Sequence, residues 1–185
     1  MVNLNNKITK SDIRKVYIRN LFGLQWGWNY EKMQGLGYAW VIMPALRKIY
    51  RDDPEGLQKA LTMQLGYFNT TPAMSHLIIG ADIALEEEFG NKAEDAVLGL
   101  KTGLMGPLAG IGDTIWQGTL SPIALGIILG MAKAGNFLGP IIYLLIIGVV
   151  LFGLGYLSYT KGYYMGREGN GKIIGSGLLN KVTEK

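Results

Sequence analysis

The chain has 185 residues, 49% of them hydrophobic and 17% charged, with a formal net charge of +4 and no cysteine. Charge is sparse beside the roughly 25% of a soluble domain, and the mean hydropathy is positive. The lack of cysteine excludes disulfides, thiolate metal sites and cysteine nucleophiles, and no dense basic patch interleaved with aromatics points to nucleic acid.

Met1–Lys10 is polar and lacks the apolar core of a cleavable signal peptide. A helix is expected next, capped by Ser11 or Asp12. Ile13, Val16, Tyr17, Leu21 and Leu24 recur at helical spacing, with Arg14, Lys15 and Arg19 on the other side. Such a basic amphipathic helix either lies on an anionic membrane surface or packs on the rest of the protein. Trp26, Trp28 and Tyr30 follow; their rings suit a headgroup zone and an ordinary core alike. The uncharged run Met33–Leu46 is shorter than the ~20 residues of a straight spanning helix. Arg47–Glu55 reads as a solvated turn around Pro54.

Ala60–Ala81 has the length of a span and no formal charge apart from His76. Phe68-Asn69-Thr70-Thr71-Pro72 interrupts it, because proline lacks a backbone donor and biases the preceding residue away from helix. The run therefore reads as two half-helices around a polar break, either re-entrant at a cavity or a plain turn at the membrane edge. Glu86, Glu87 and Glu88 read as a solvated acidic face rather than a metal site, since no His or second cluster lies nearby.

Between Thr102 and Thr160 the formally charged residues are Asp113 and Lys133. A surface helix needs a wet face, so this block reads as protein placed in lipid. Ile141–Tyr159 matches a spanning helix, introduced by Gly139-Pro140. Lys161, Arg167 and Lys172 follow it, which puts its C-terminal side in the cytoplasm. Gly103–Met131 is expected to cross as a broken or re-entrant element with Lys101 at its cytoplasmic end, leaving both chain ends inside. Three regions result: a basic helical region 1–101, cytoplasmic or interfacial with a possible re-entrant segment 60–81; a membrane-embedded region 102–160; and a cytoplasmic tail 161–185.

Gly103–Asp113 fails as a phosphate loop. Gly110-Ile111-Gly112 lacks the third glycine, and no Gly-Lys-Ser/Thr occurs. Asp113 stands alone in the uncharged block, and an intramembrane carboxylate is a functional candidate by default. It either accepts hydrogen bonds from a hydroxyl-bearing ligand or caps a helix starting at Thr114. Trp116 offers an apolar platform and Gln117 a paired donor and acceptor. His76, flanked by Leu77, Ile78 and Ile79, reads as a structural histidine.

Asn29-Tyr30-Glu31-Lys32-Met33-Gln34-Gly35-Leu36-Gly37, Phe68–Pro72 and Ala84-Leu85-Glu86-Glu87-Glu88 resemble, in order, blocks of the IID components of mannose-family sugar phosphotransferase systems. The stretch Gly103–Thr114, continued by Gly118-Thr119 and Ser121-Pro122-Ile123, is the most specific. The resemblance spans roughly residues 7 to 183. It implies an all-α integral membrane protein with interfacial helices, broken half-helices and at least one spanning helix, in the bacterial cytoplasmic membrane. It implies a hetero-oligomer with a IIC membrane subunit, in contact with membrane lipid. IIA and IIB proteins would relay phosphate, and IIB would phosphorylate the sugar at the inner face. The chain itself would hold no phosphoryl group, no metal and no cofactor, and would not be an enzyme alone. Family members continue past Leu178–Thr183, so a truncated tail is expected. Trp26, Gln34, Asn69, Thr70, Asp113 and Gln117, chosen on polarity and position, are the candidate sugar-binding residues. Two rivals stand beside this reading: a membrane phosphotransferase using His76, and a non-transporting receptor or scaffold seated on IIC.

Overall fold

The computed structural model describes residues 7–175, and every regular element among them is helical. Helix α1 (Lys10–Gly23) is capped by Thr9, not by Ser11 or Asp12. The Thr9 hydroxyl accepts from the Asp12 backbone N–H, and Asp12 Oδ2 accepts from the Thr9 N–H at 2.9 Å, a reciprocal capping box. Ile13, Val16 and Tyr17 turn inward and pack with Tyr38, Ile42 and Ile79 in the main core. The apolar face of α1 thus packs on the protein, while Arg14 and Lys15 stay exposed.

Helix α2 (Gly35–Ile49) buries Tyr38, Val41, Ile42, Ala45 and Leu46. It runs antiparallel to α1, with Asp12 opposite Lys48 and Arg19 over Trp40. Asp53 accepts from the Gly56 N–H at 2.9 Å and starts α3 (Pro54–Gln64), within the expected exposed turn. The chain then leaves the helical path over residues 65–71 and resumes as α4 (Pro72–Phe89). Proline in the first turn costs nothing there, since its missing N–H would have no helical partner. The predicted split of Ala60–Ala81 is present.

Gly90, at φ +57°, ends α4, and the 3-10 turn Gly90–Ala93 leads into α5 (Glu94–Ile115). A π turn at Trp116–Leu120 joins α5 directly to α6 (Ser121–Lys133). The Gly103–Met131 stretch, expected as a broken or re-entrant element, is helical throughout, with the π turn interrupting its α-helical register. Pro107 and Pro122 do not part it; Pro122 falls in the first turn of α6. Helix α7 (Leu138–Gly175) then runs back to the bundle. The stretch 161–175, expected as tail, is its C-terminal part, and 176–185 lies outside the described residues.

Helix α7 lies along α4 with almost no side-chain spacer. A Cβ added at Gly162 would stand 2.3 Å from the Leu77 carbonyl oxygen, and one at Gly80 2.5 Å from the Tyr159 carbonyl oxygen. Gly155 faces His76 and Gly166 faces Ala84, so the two helices run parallel. Small residues allow this approach in membrane helices, where dispersion rather than hydrophobic burial drives packing. Two stretches are long and apolar enough to cross a membrane, one within Pro72–Lys133 and one over Leu138–Gly166. Leu144, Leu145, Val149 and Phe152 on α7 are exposed, as are Ile123, Ile127 and Leu129 on α6. A surface so apolar suits a lipid or protein environment rather than water.

Candidate functional site

The break between α3 and α4 is held by backbone mimicry. Gln34 is 2% exposed; its side-chain nitrogen donates to the Thr70 carbonyl at 2.8 Å, and its side-chain oxygen accepts from the Thr70 N–H at 3.1 Å. Both polar atoms of one amide thus satisfy both backbone groups of Thr70, as a strand neighbour would. The Gln34 N–H also donates to the Phe68 carbonyl at 2.8 Å. Gly35 fits against the Gly66 carbonyl, where a Cβ would come within 2.3 Å.

The other side of the break meets α5. The Thr71 hydroxyl lies 2.7 Å from Asp113 Oδ1 and 3.0 Å from the Ala109 carbonyl, sharing one proton between two acceptors. Gly112 makes the approach possible, since a Cβ there would stand 2.5 Å from Thr71 Cβ. Asp113 lies inside α5, so it caps no helix at Thr114; its carboxylate orients the break instead.

The six residues expected to bind sugar are arranged unequally. Gln34 and Thr70 are bonded to each other and buried. Asn69 is exposed beside them, and Asp113 is exposed one residue-contact away through Thr71. Gln117 is exposed four residues after Asp113, within the π turn. Such turns recur at functional sites because they re-aim side chains. Trp26 is 60% exposed and stacks at 5.2 Å on Trp40. Its neighbour Gly27 sits against Leu36 in the first turn of α2, the same end of the bundle as Gln34. Sequence reasoning missed Thr71 and Gly112 as partners of Asp113. Only the antiparallel pairing of α4 and α5 brings them together.

A second polar cluster lies deeper. Glu86 is buried, so the expected solvated acidic face holds only for Glu88. Glu86 accepts from Tyr50 and Asp82 from Tyr38, the latter at 2.6 Å. Gln64 Nε2 donates to Asp82 at 3.2 Å and to Glu86 at 3.5 Å, and its oxygen accepts from Lys101 Nζ at 2.9 Å. Lys101 is 2% exposed and rests 4.1 Å from the Tyr38 ring centre, so it is an interior cation and not a solvated flank. Burial, then the Asp82 carboxylate, pushes the Tyr38 phenol well above its usual range and keeps it a donor. Acidic residues spaced four apart on one helix face point the same way; that spacing was the available signal for Asp82 and Glu86.

His76 is 2% exposed, with Nδ1 2.7 Å from the Asn20 amide nitrogen and its ring 5.1 Å from Tyr17. Among the described residues no group of three or more His, Cys, Asp or Glu is placed to hold a metal.

Residues 7–185 match the family model described as the PTS system mannose/fructose/sorbose family IID component. The chain is 41% identical over 182 residues to the PTS system mannose-specific EIID component of Escherichia coli (strain K12), covering 96% of this chain and 63% of that protein. It is 35% identical to the fructose permease IID component of Bacillus subtilis (strain 168), covering 96% of this chain and 65% of the relative. A solved chain from the cryo-EM structure of the mannose transporter ManYZ with microcin E492 superposes with a TM-score of 0.88 at 39% identity, covering 96% of this chain and 65% of that one. The chain thus spans a little under two thirds of the length of these relatives.

Proposed function

This chain belongs to the mannose/fructose/sorbose family of phosphotransferase-system IID components, and from that premise we propose that it is a membrane subunit carrying a hexose-type sugar across the bacterial cytoplasmic membrane together with a IIC subunit. IIB, charged by IIA, phosphorylates the sugar at the inner face. The observation that carries this reading is the depth and tethering of the break. His76 of α4 faces Gly155 of α7. Thr71 precedes His76 by five residues, about 7 Å along a helix. With the backbone contacts of Gly162 on Leu77 and of Gly80 on Tyr159 and Tyr163 included, the break stands level with residues 150–156, inside the apolar run 141–159. Non-helical backbone at that depth is tolerated where it is buried in protein or lines a cavity, and transporters place substrates there.

Exposed Asn69, Asp113 and Gln117 offer the mixed donors and acceptors that sugar hydroxyls need, and Trp26 an apolar face. Gln34 shapes the break rather than meets the sugar directly, since its amide is engaged by the Thr70 backbone, whereas the buried Thr70 hydroxyl has no hydrogen-bond partner among the described residues. His76 is 2% exposed with Nδ1 held against Asn20, which favours transport over phosphoryl transfer by this chain. Co-expression with a IIC subunit in cells lacking their own system tests the proposal. Co-purification together with sugar uptake is the expected result. Co-purification with uptake independent of this chain would sustain the scaffold reading instead, and a chain that never associates with IIC would overturn the proposal.

A further inference from the structure

The outer face of α1 is ordered along its axis in a way that its packing does not explain. Helix α1 runs antiparallel to α7. The Ile8 N–H at its start and the Tyr163 hydroxyl both donate to Glu87, each at 2.6 Å, while the Tyr17 hydroxyl donates to the Phe152 carbonyl at 2.6 Å. Residues before Tyr17 therefore stand toward Lys161, beyond the apolar run, and residues after it stand toward the middle of that run.

The exposed side chains follow the same order. Lys15 lies on the outward side of Tyr17. Arg47 stands at the same height from α2, next to Lys48, which pairs with Asp12. On the inward side Ile18 is 44% and Phe22 62% exposed. Arg19 follows Ile18 on the inward side, its guanidinium 3.8 Å over the Trp40 ring, which abuts Gly23. Burial, then the nearby Arg47 charge, lowers the Arg19 pKa. Among the described residues the salt bridges are Lys48–Asp12 and Lys59–Glu94, and neither engages Lys15, Arg19 or Arg47.

We infer that the α1–α2 seam is a binding site for one anionic phospholipid, its phosphate held by Lys15 and Arg47 and its acyl chains lying on Ile18 and Phe22. Two exposed cations that no carboxylate pairs among the described residues, set toward the end of an apolar run, suit an anion. Ile18 and Phe22, exposed on the inward side of Tyr17, suit hydrocarbon. An anionic lipid supplies both at the same spacing, and an Arg guanidinium matches a phosphate with paired N–H donors. The inference requires that α7 lie in the bilayer and does not depend on which sugar is carried.

The test is native mass spectrometry of the full chain in detergent, titrated with phosphatidylglycerol, with phosphatidylcholine of the same acyl chains, and with glycerol phosphate. Phosphatidylglycerol should bind most tightly. The exposed pair Lys15→Gln/Arg47→Gln should weaken phosphatidylglycerol by ~30-fold, at roughly tenfold or less per cation, and leave phosphatidylcholine unchanged. Lys15→Arg/Arg47→Lys, which keeps both charges, should retain binding, and Ile18→Ser/Phe22→Ser should weaken both lipids. Equal binding of the two lipids, or phosphatidylglycerol binding unchanged in the Gln pair, would overturn the inference. Glycerol phosphate binding as tightly as the lipid would mean a free-phosphate site, and loss of the lipid upon assembly with IIC would mean a protein interface; either result also rejects it. Failure of sugar uptake with lipid binding intact would count against the transport proposal alone.

Discussion

The Thr71 hydroxyl bonds Asp113 Oδ1 across 2.7 Å, tying the non-helical break between α3 and α4 to the helix that carries the isolated carboxylate. The contact joins two segments separated by 42 positions and orders an otherwise exposed carboxylate. Hydrogen bonds to a charged group contribute about 1.5–3 kcal/mol.

Removing that bond should change transport more than folding. Thr71→Val keeps the shape and loses the hydroxyl. Uptake is expected to fall roughly tenfold, as a loss of about 1.4 kcal/mol implies, with helix content and IIC association preserved. Asp113→Asn should act in the same direction. Full uptake in both variants would remove Asp113 from the site.

Lys101→Met should destabilise the bundle by about 3 kcal/mol or more, because it strips the cation from an interior that holds Asp82 and Glu86. Tyr50→Phe should cost less, about 1–3 kcal/mol, since it leaves one oxygen of Glu86 without its donor. Thermal unfolding in detergent reads both. An unchanged melting temperature for Lys101→Met would show that the cluster does not hold the bundle together.

Gly162→Val should separate α4 from α7. Its Cβ would meet the backbone oxygen of Leu77 at 2.3 Å, and backbone cannot rotate away. Overpacking of this kind costs about 1–3 kcal/mol. Gly110→Ala is the matched control, as nothing lies near that position. The comparison to make is yield and melting temperature of the two variants.

Acid should weaken the start of α1. Burial alone would raise the Asp12 carboxyl, but hydrogen bonds from Lys48 and Thr9 outweigh it and hold it below the usual range. A carboxyl lowered in the folded state stabilises the fold at pH values above its unfolded pKa, about 3.9. That contribution is lost as the pH falls through the folded value. The wild-type melting temperature should therefore drop on acidification below about pH 4, while Asp12→Asn should already be lower at neutral pH and drop less. Thr9→Ala removes the hydroxyl half of the cap and should cost about 1 kcal/mol.

His76→Asn tests the phosphotransferase reading. The ring is packed against Tyr17 and Gly155, so the variant should melt earlier yet still support uptake. Phosphate label on His76 in the wild type would contradict that expectation.

The elements set by local chemistry were legible in the sequence. Pro72, after the polar Asn69-Thr70-Thr71, marked where α4 begins, because a first-turn N–H has no helical partner to lose. The spanning run Ile141–Tyr159 was plain from its composition, and the period of Ile13, Val16 and Tyr17 showed which face of α1 turns inward. Other readings failed where meaning depends on a neighbour. Thr9 displaced Ser11 and Asp12 as cap because Asp12 fills the reciprocal position. Gly103–Met131, expected as a broken or re-entrant element, keeps its helix past Pro107 inside α5 and changes register at the π turn just before Pro122.

Sequence alone determined the helical class, the apolar spans, the site of the break and the family resemblance, since each rests on residue type and spacing along one chain. The tertiary structure decided that Glu86 is interior, that Lys101 stands within a carboxylate cluster, and that Asp113 meets Thr71 instead of capping a helix. A side chain's charge is written in its chemistry, but whether that charge is solvated or satisfied depends on which distant helix packs against it. Here the antiparallel return of α5 and the close approach of α7 to α4 settle that question.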